Sequence, residues 1–293
     1  MIFKTQFQKS KVNFKVEKRQ LEYKGQPIEQ WGTFRADTGQ YLAPVGEKYP
    51  IIQNEEVFKL PSLLVESGEK LEFNKAFAMD NGRRIYASFK LPKPIRIGNT
   101  DDILETNIAV TTMHGGGGLY AFLEVVRLVC TNGMTRAEKS KMISIRHSSQ
   151  APVELKEAQK TLLGITNEAK LFGDLMNTLA KVKLTTAQVG TVIENLFKDK
   201  KGDIYSSTTR QNKARVILTH FDENDGDVFR SQRGTAFNLY NAVTRYTDHG
   251  INYRAGDDKE TAIRKGILFG AGAAMKHFAL MEILKVTGVK YVY

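Results

Sequence analysis

The chain has 293 residues, 41% hydrophobic and 26% charged, a composition ordinary for a soluble globular protein, and its length suits one large domain or two smaller ones. Its 43 lysines and arginines against 32 acidic residues give a net charge of +11, which favours a polyanionic partner, with solubility as the plainer reading. No apolar run approaches the roughly 18 residues that cross a bilayer, the N-terminus lacks the apolar core of a secretory signal, and a single cysteine excludes an internal disulfide. A cytoplasmic protein with no membrane partner is the expectation.

In chain order, residues 2 to about 98 read as mostly β. Short alternating runs around Phe14, Val16, Leu21 and Tyr23 and around Trp31, Phe34 and Tyr41 are punctuated by Gly25, Pro27, Asp37–Gly39 and Pro44–Gly46. Asn54 to Ser67 has helical spacing at Val57, Leu60, Leu63 and Leu64, with Pro61 acceptable only near a start or a break. Leu71–Met79 and Arg84–Leu91 form a hairpin around Asp80-Asn81-Gly82, because Asn-Gly tolerates positive φ. Arg83 and Arg84 fall at that turn and Lys90 on the outgoing side, either as a charged, protected strand edge or as a ridge tracking phosphates.

The densest chemistry lies between Asn107 and His147. Two runs suited to buried strands, the second long enough to be read as a helix, flank His114 and the four glycines Gly115 to Gly118. No Gly-Lys-Ser/Thr follows, so this is not a P-loop, and Gly270 to Lys276 fails the same test. From Pro152 the chain turns helical, with Val153 to Leu179 on one apolar face of a long helix or a broken pair. Thr185 and Gln188 form a capping box opening a helix to Phe197. Thr208–Phe221 is a helix with Arg210, Lys213 and Arg215 on or near one basic side. The acidic run at Asp222 is not a calcium loop, because Phe221 and Gln232 would fall on its ligand positions. Gly234–His249 and Ile263–Leu284 are further helices, the last rich in small residues that suit close packing. The sum is one α+β domain, residues 1–293: a β-rich half over residues 1–150 with a central hairpin, and a helical half over residues 151–293 packed on the sheet.

Catalytic material is sparse. His114, Cys130 and His147 permit a nucleophile–base pair, but a Cys buried at a strand end as a small hydrophobe is the commoner arrangement. No zinc-like spacing is present, so neither a metal nor a cofactor is expected. Single-strand binding needs only a basic groove and aromatic faces. Residues 127–147 supply 5 basic residues against 1 acidic. The expected nucleic-acid contacts are Arg83, Arg84, Lys90, Arg127, Asn132, Arg136, Lys139, Lys141, Arg146 and His147. Trp31, Phe34, Tyr41, Tyr86, Phe89, Tyr120 and Phe122 are interleaved with cations, though alternation assigns most of them to the core.

The segments TTMHGGGG, VVRLVCTNGMTRA, IRHS and GTAFNLYNAVTRYTDH resemble the phage/plasmid-like family also called domain of unknown function 932. His114, Arg127, Cys130, Asn132, His147, Asn241, Thr244 and His249 fall on that family's polar positions over roughly Val45 to Ala279. The acidic residue the family places after His114 is absent here, which weakens an acid–base or metal role at that turn. The resemblance implies carriage by phages, plasmids and related mobile elements. By analogy of fold alone it suggests a homo-oligomeric single-strand annealing protein of the Rad52/Redβ kind. The alternatives are an enzyme acting on nucleic acid or nucleotide through His114, Cys130, Asn132 and His147, and a non-catalytic host-takeover protein. Asn132, Asn241 and His249 serve equally well as a buried hydrogen-bond network.

Overall fold

The computed structural model describes residues 2–128, 132–133, 143–146, 151–198, 207–222, 229–251 and 259–291. The strand-rich half contains α1 (Lys4–Lys9), β1 (Val16–Tyr23), β2 (Gln26–Arg35), β3 (Tyr41–Val45), α2 (Glu56–Glu66), β4 (Glu72–Met79), β5 (Arg84–Lys90), β6 (Ile95–Arg96), β7 (Ile103–Met113), β8 (Gly118–Arg127), β9 (Asn132–Gly133) and β10 (Ile143–Arg146). The helical half contains α3 (Ala151–Leu179), α4 (Thr186–Phe197), α5 (Thr208–Asp222), α6 (Ala236–Arg245), α7 (Lys259–Phe269) and α8 (Ala271–Thr287). The fold is α+β, with antiparallel sheets in the first half. The chain divides into two compact units. One is Met1–Lys93, Thr106–Glu124 and Ala137–Glu168, and the other is Pro94–Glu105, Val125–Arg136 and Ala169–Tyr293.

In the first unit, β1, β2 and β3 form a three-stranded sheet, and β10, β8, β7, β5 and β4 run side by side in a larger one. The Asp80–Gly82 turn joins β4 to β5 with Asn81 at φ 56°, as the Asn-Gly signal requires. Side chains alternate across a strand, so register assigns the faces of the larger sheet. Ile85, Ala87 and Phe89 of β5 share one face with Thr112, Val110 and Ile108 of β7. Phe58 of α2 packs its ring 5.7 Å from Phe89 and 5.8 Å from Phe73, and Phe3 stands 4.7 Å from Phe89. Aromatic contacts of this kind bury large apolar areas with defined geometry. The opposite face carries Arg84, Tyr86, Ser88 and Lys90 against Met113, Thr111, Ala109 and Asn107.

One local reading is corrected, and one left open between strand and helix is settled. Pro61 lies inside α2, where burial of Val57, Phe58, Leu60 and Leu64 outweighs the backbone hydrogen bond its missing N–H gives up. The run after the glycines is a strand throughout, because β7 lines one side of it and β10 the other.

The second unit is helical around α6, whose residues Ala236 to Thr244 are all buried. Helices α5 and α8 pack on it, and α8 also packs on α4 and α7. Thr185 accepts from the Gln188 backbone while the Gln188 side chain returns to Thr185, completing the capping box that opens α4. Asn177 of α3 accepts from the Gly98 amide and donates to the Arg96 carbonyl, tying that helix to the β6 turn. The last helical stretch is broken at Gly270 into α7 and α8. Glu260–Thr287 contains an 18-residue window of mean hydropathy 1.4, the composition of a membrane span. Neither segment alone reaches the roughly 30 Å of a bilayer core at about 1.5 Å per residue. Lys276, in the middle of α8, is fully buried and paired with Asp248 at 2.5 Å, as in a core helix.

Candidate nucleic-acid interface

Strand register brings several of the expected residues to one end of the larger sheet. Arg84 pairs with Met113 at the end of β7, and Gly118 at the start of β8 pairs with Arg146 of β10. The turns Asp80–Arg83 and His114–Gly117 close the same end. Arg146 is exposed, while Arg83, Arg84 and Tyr120 are half-buried. Arg83 donates through Nη2 to the Gly115 carbonyl at 3.3 Å, and its buried Nε has no hydrogen-bond partner. Burial is the largest influence on Arg84 and lowers its pKa, opposed by Asp80 and Tyr120 and reinforced by the neighbouring Arg83. Two adjacent guanidiniums at partial depth suit an anion, because added negative charge relieves their mutual repulsion.

The glycine turn is held from behind. Asn54 is fully buried and its Nδ2 donates to the Val12 and Phe14 carbonyls, which fixes its Oδ1 toward His114 Nε2 at 2.7 Å. His114 Nε2 therefore carries the proton in this contact. The histidine considered as a base is thus a fully buried structural donor. Gly115 has φ +94°, and a Cβ there would lie 2.0 Å from Ala43 Cβ, so the glycine serves close packing of the turn on β3. A Cβ at Gly118 would lie 2.4 Å from the Ile145 carbonyl oxygen, which explains the glycine beside β10.

Other expected contacts are placed elsewhere. Lys90 lies six residues along β5 from Arg84, about 20 Å away at the opposite end of the sheet. Arg127 is corrected outright. It is 2% exposed in the second unit, and its Nε and Nη2 grip Asp102 at 2.8 Å each. Gln232 adds a bond to the same carboxylate at 2.9 Å, and the Phe237 ring lies under the guanidinium. A cation so fully neutralised has no charge left for phosphate. Asn132 is opposite Arg127 in the β8–β9 pairing. Cys130, Arg136, Lys139, Lys141 and His147 lie outside the described residues.

Among the aromatics, Tyr86, Phe89 and Phe122 are core residues, whereas Tyr41 is 42% exposed and Trp31 and Phe34 are half-buried. Asn241 and Thr244 are buried on α6, with the Thr244 hydroxyl donating to the Asn241 carbonyl, while His249 is exposed at the π-helical turn Tyr246–Gly250.

Sequence reasoning missed a polar cluster on the mixed face. The Tyr86 hydroxyl donates to Glu124 Oε1 at 2.6 Å, Asn107 Nδ2 donates to Oε2 at 3.1 Å, and Lys75 Nζ stands 3.7 Å away. Burial, then the Glu124 charge, raises the Tyr86 pKa well above that of an ordinary phenol, so the hydroxyl stays a donor. Each residue of this cluster has a partner that locks strand to strand, the behaviour of a register-fixing network. Glu124 was hidden within an apolar run; a lone acid among strand hydrophobes was its one signal. No group of three or more potential metal ligands occurs among the described residues.

No curated protein and no solved structure matches the chain. The family model described as a domain of unknown function (DUF932) matches residues 41–268, from β3 through most of α7. That span takes in the larger sheet, the glycine turn and the buried helix α6, and the chain belongs to the DUF932 family.

Proposed function

We propose that this protein binds single-stranded DNA and anneals complementary strands for a phage or other mobile element in a bacterial host cell. The observation that carries this reading is the convergence of Arg83, Arg84 and Arg146 at one end of one sheet. The half-buried Tyr120 ring beside them supplies a π-face of the kind on which bases stack. The net charge of +11 supports attraction of a polyanion at long range. In this mechanism the guanidiniums hold phosphates, copies of the chain assemble side by side to extend the track, and the outward bases pair with a complementary strand.

The test is the annealing rate of two complementary oligonucleotides carrying a fluorophore and a quencher. The wild type accelerates annealing at low salt. The triple variant Arg83→Ala, Arg84→Ala, Arg146→Ala loses most of the acceleration while keeping its far-ultraviolet circular dichroism. No acceleration by the wild type, or full acceleration by the triple variant, overturns the proposal.

A further inference from the structure

Helix α8 is apolar on both sides of its axis. It turns Gly272, Ala279, Leu280, Ile283 and Leu284 inward, with Lys276 held among them by Asp248. Its exposed residues from Ala271 to Met281 are Ala271, Ala274, His277, Phe278 and Met281, with Phe278 43% and Met281 38% exposed. The neighbouring α4 behaves as a solvated helix should, with Thr186, Thr191 and Glu194 outward. A helix that is apolar all round belongs in an interior, so the outer face of α8 is suited to burial against a further element.

The spacing of that face identifies the kind of element that fits it. Ala271, Ala274, Phe278, Met281 and Lys285 are all exposed and follow one another at intervals of 3, 4, 3 and 4 residues. That is the seam along which one helix lies beside another, crossing at about 20°. His277 borders the line, which holds no charged side chain before Lys285. Its two alanines give a bilayer little apolar area to take up, but they give a second helix holes for large side chains.

We propose that α8 pairs with α8 of a second copy of this chain, antiparallel across a two-fold axis near the level of Lys276. The line is complementary to itself in that arrangement, because its small side chains come first and its large ones follow. Antiparallel pairing sets Phe278 on Ala274, and Met281 on Ala271, of the other copy, so every layer joins large to small and fills evenly. Parallel pairing would stack Phe278 on itself and leave alanine facing alanine. Lys285 ends the seam, where its stem covers the apolar edge and its ammonium reaches water. A helix of 17 residues is about 25 Å long. One such pair is smaller than a standard interface, and the dimer is weak, with a Kd on the order of tens of micromolar. An isologous pair closes on itself, so it is not the side-by-side contact of the annealing track and does not rest on that reading.

The experiment is sedimentation velocity of the full chain, free of nucleic acid, from about 1 to 300 µM. The wild type passes from monomer to dimer over that range, and added salt leaves the association as strong or strengthens it, the opposite of its effect on polyanion binding. Phe278→Asp raises the Kd at least about tenfold. Phe278→Ala leaves a hole against Ala274 and Ala274→Phe crowds Phe278, so each alone weakens the dimer. The double variant Ala274→Phe, Phe278→Ala swaps large for small within the same layer and returns the Kd to within about threefold of the wild type. Unchanged urea midpoints at low protein concentration confirm that the exposed substitutions leave the monomer folded. A wild type that stays monomeric, a Phe278→Asp chain that associates normally, or a double variant no stronger than Phe278→Ala overturns the inference. Monomeric wild type that floats with phosphatidylcholine vesicles, and loses this with Phe278→Asp, overturns it too and assigns the face to lipid. A chain that dimerises in this way yet anneals nothing keeps this inference and loses the annealing proposal, and a monomer that anneals does the opposite.

Discussion

Arg127 and Arg84 are both strand-end arginines in basic stretches, and they meet opposite fates. Arg127, at the end of β8, is 2% exposed and forked onto Asp102, which Gln232 also holds. Arg84, at the start of β5, is half-buried beside a second guanidinium, and Asp80 and Tyr120 oppose the burial that lowers its pKa. Desolvating a cation is costly unless a carboxylate meets it in good geometry. The depth and fit of the carboxylate therefore decide how much of an arginine's charge is spent inside the fold and how much acts on a ligand.

The largest effect that bears on this contrast is expected at Asp102. Asp102→Ala strands the buried Arg127 charge and costs about 3–5 kcal/mol, read as a fall in the urea midpoint. The double variant Asp102→Ala, Arg127→Met recovers most of that loss; a double variant as unstable as the single one would show that more than the pair had been damaged. Next in size is the opposite behaviour at the glycine-turn end. Arg84→Ala with Arg146→Ala leaves the urea midpoint almost where it was. It weakens single-strand binding at least about tenfold and lowers the salt slope by about 0.7 for each phosphate no longer neutralised.

A smaller effect comes from the Tyr86–Glu124 pair. Tyr86→Phe is expected to cost about 1–3 kcal/mol near neutral pH by removing a donor from a buried carboxylate. Its pH signature follows from the raised phenol pKa. Folded Tyr86 holds its proton where an unfolded tyrosine loses it, so the contribution is complete below about pH 10 and declines as pH rises beyond that. The wild type should lose stability in alkali more steeply than Tyr86→Phe, and parallel alkaline profiles would count against the assignment. The smallest contrast is at His114, where His114→Gln keeps a donor toward Asn54. It should cost less stability than His114→Ala and leave any nucleic-acid affinity unchanged, as a structural histidine requires.

What was legible in the sequence is what is local. The Thr185–Gln188 box and the Asp80-Asn81-Gly82 turn act within four residues, and both are in place. The face of α3 that buries Ala169, Phe172, Leu175, Met176 and Leu179 likewise follows from spacing alone. The partners that settle charged residues lie far off in the chain. Asp102 is 25 residues from Arg127 and Gln232 is 130 from Asp102, so neither is visible beside the arginine it explains. Lys276 resembles the remnant of a phosphate loop in sequence because nothing near it announces Asp248. The break at Gly270 and the short helix α1 were also missed.

The most direct test of the central claim is the salt dependence of single-strand affinity, measured by anisotropy for the wild type and for Arg84→Ala, Arg146→Ala. A phosphate track at the glycine-turn end predicts a steep wild-type slope that the double variant reduces by about 1.4, two phosphates' worth for a single strand. An unchanged slope in a well-folded double variant would contradict it, and would move the polyanion site away from that end of the sheet.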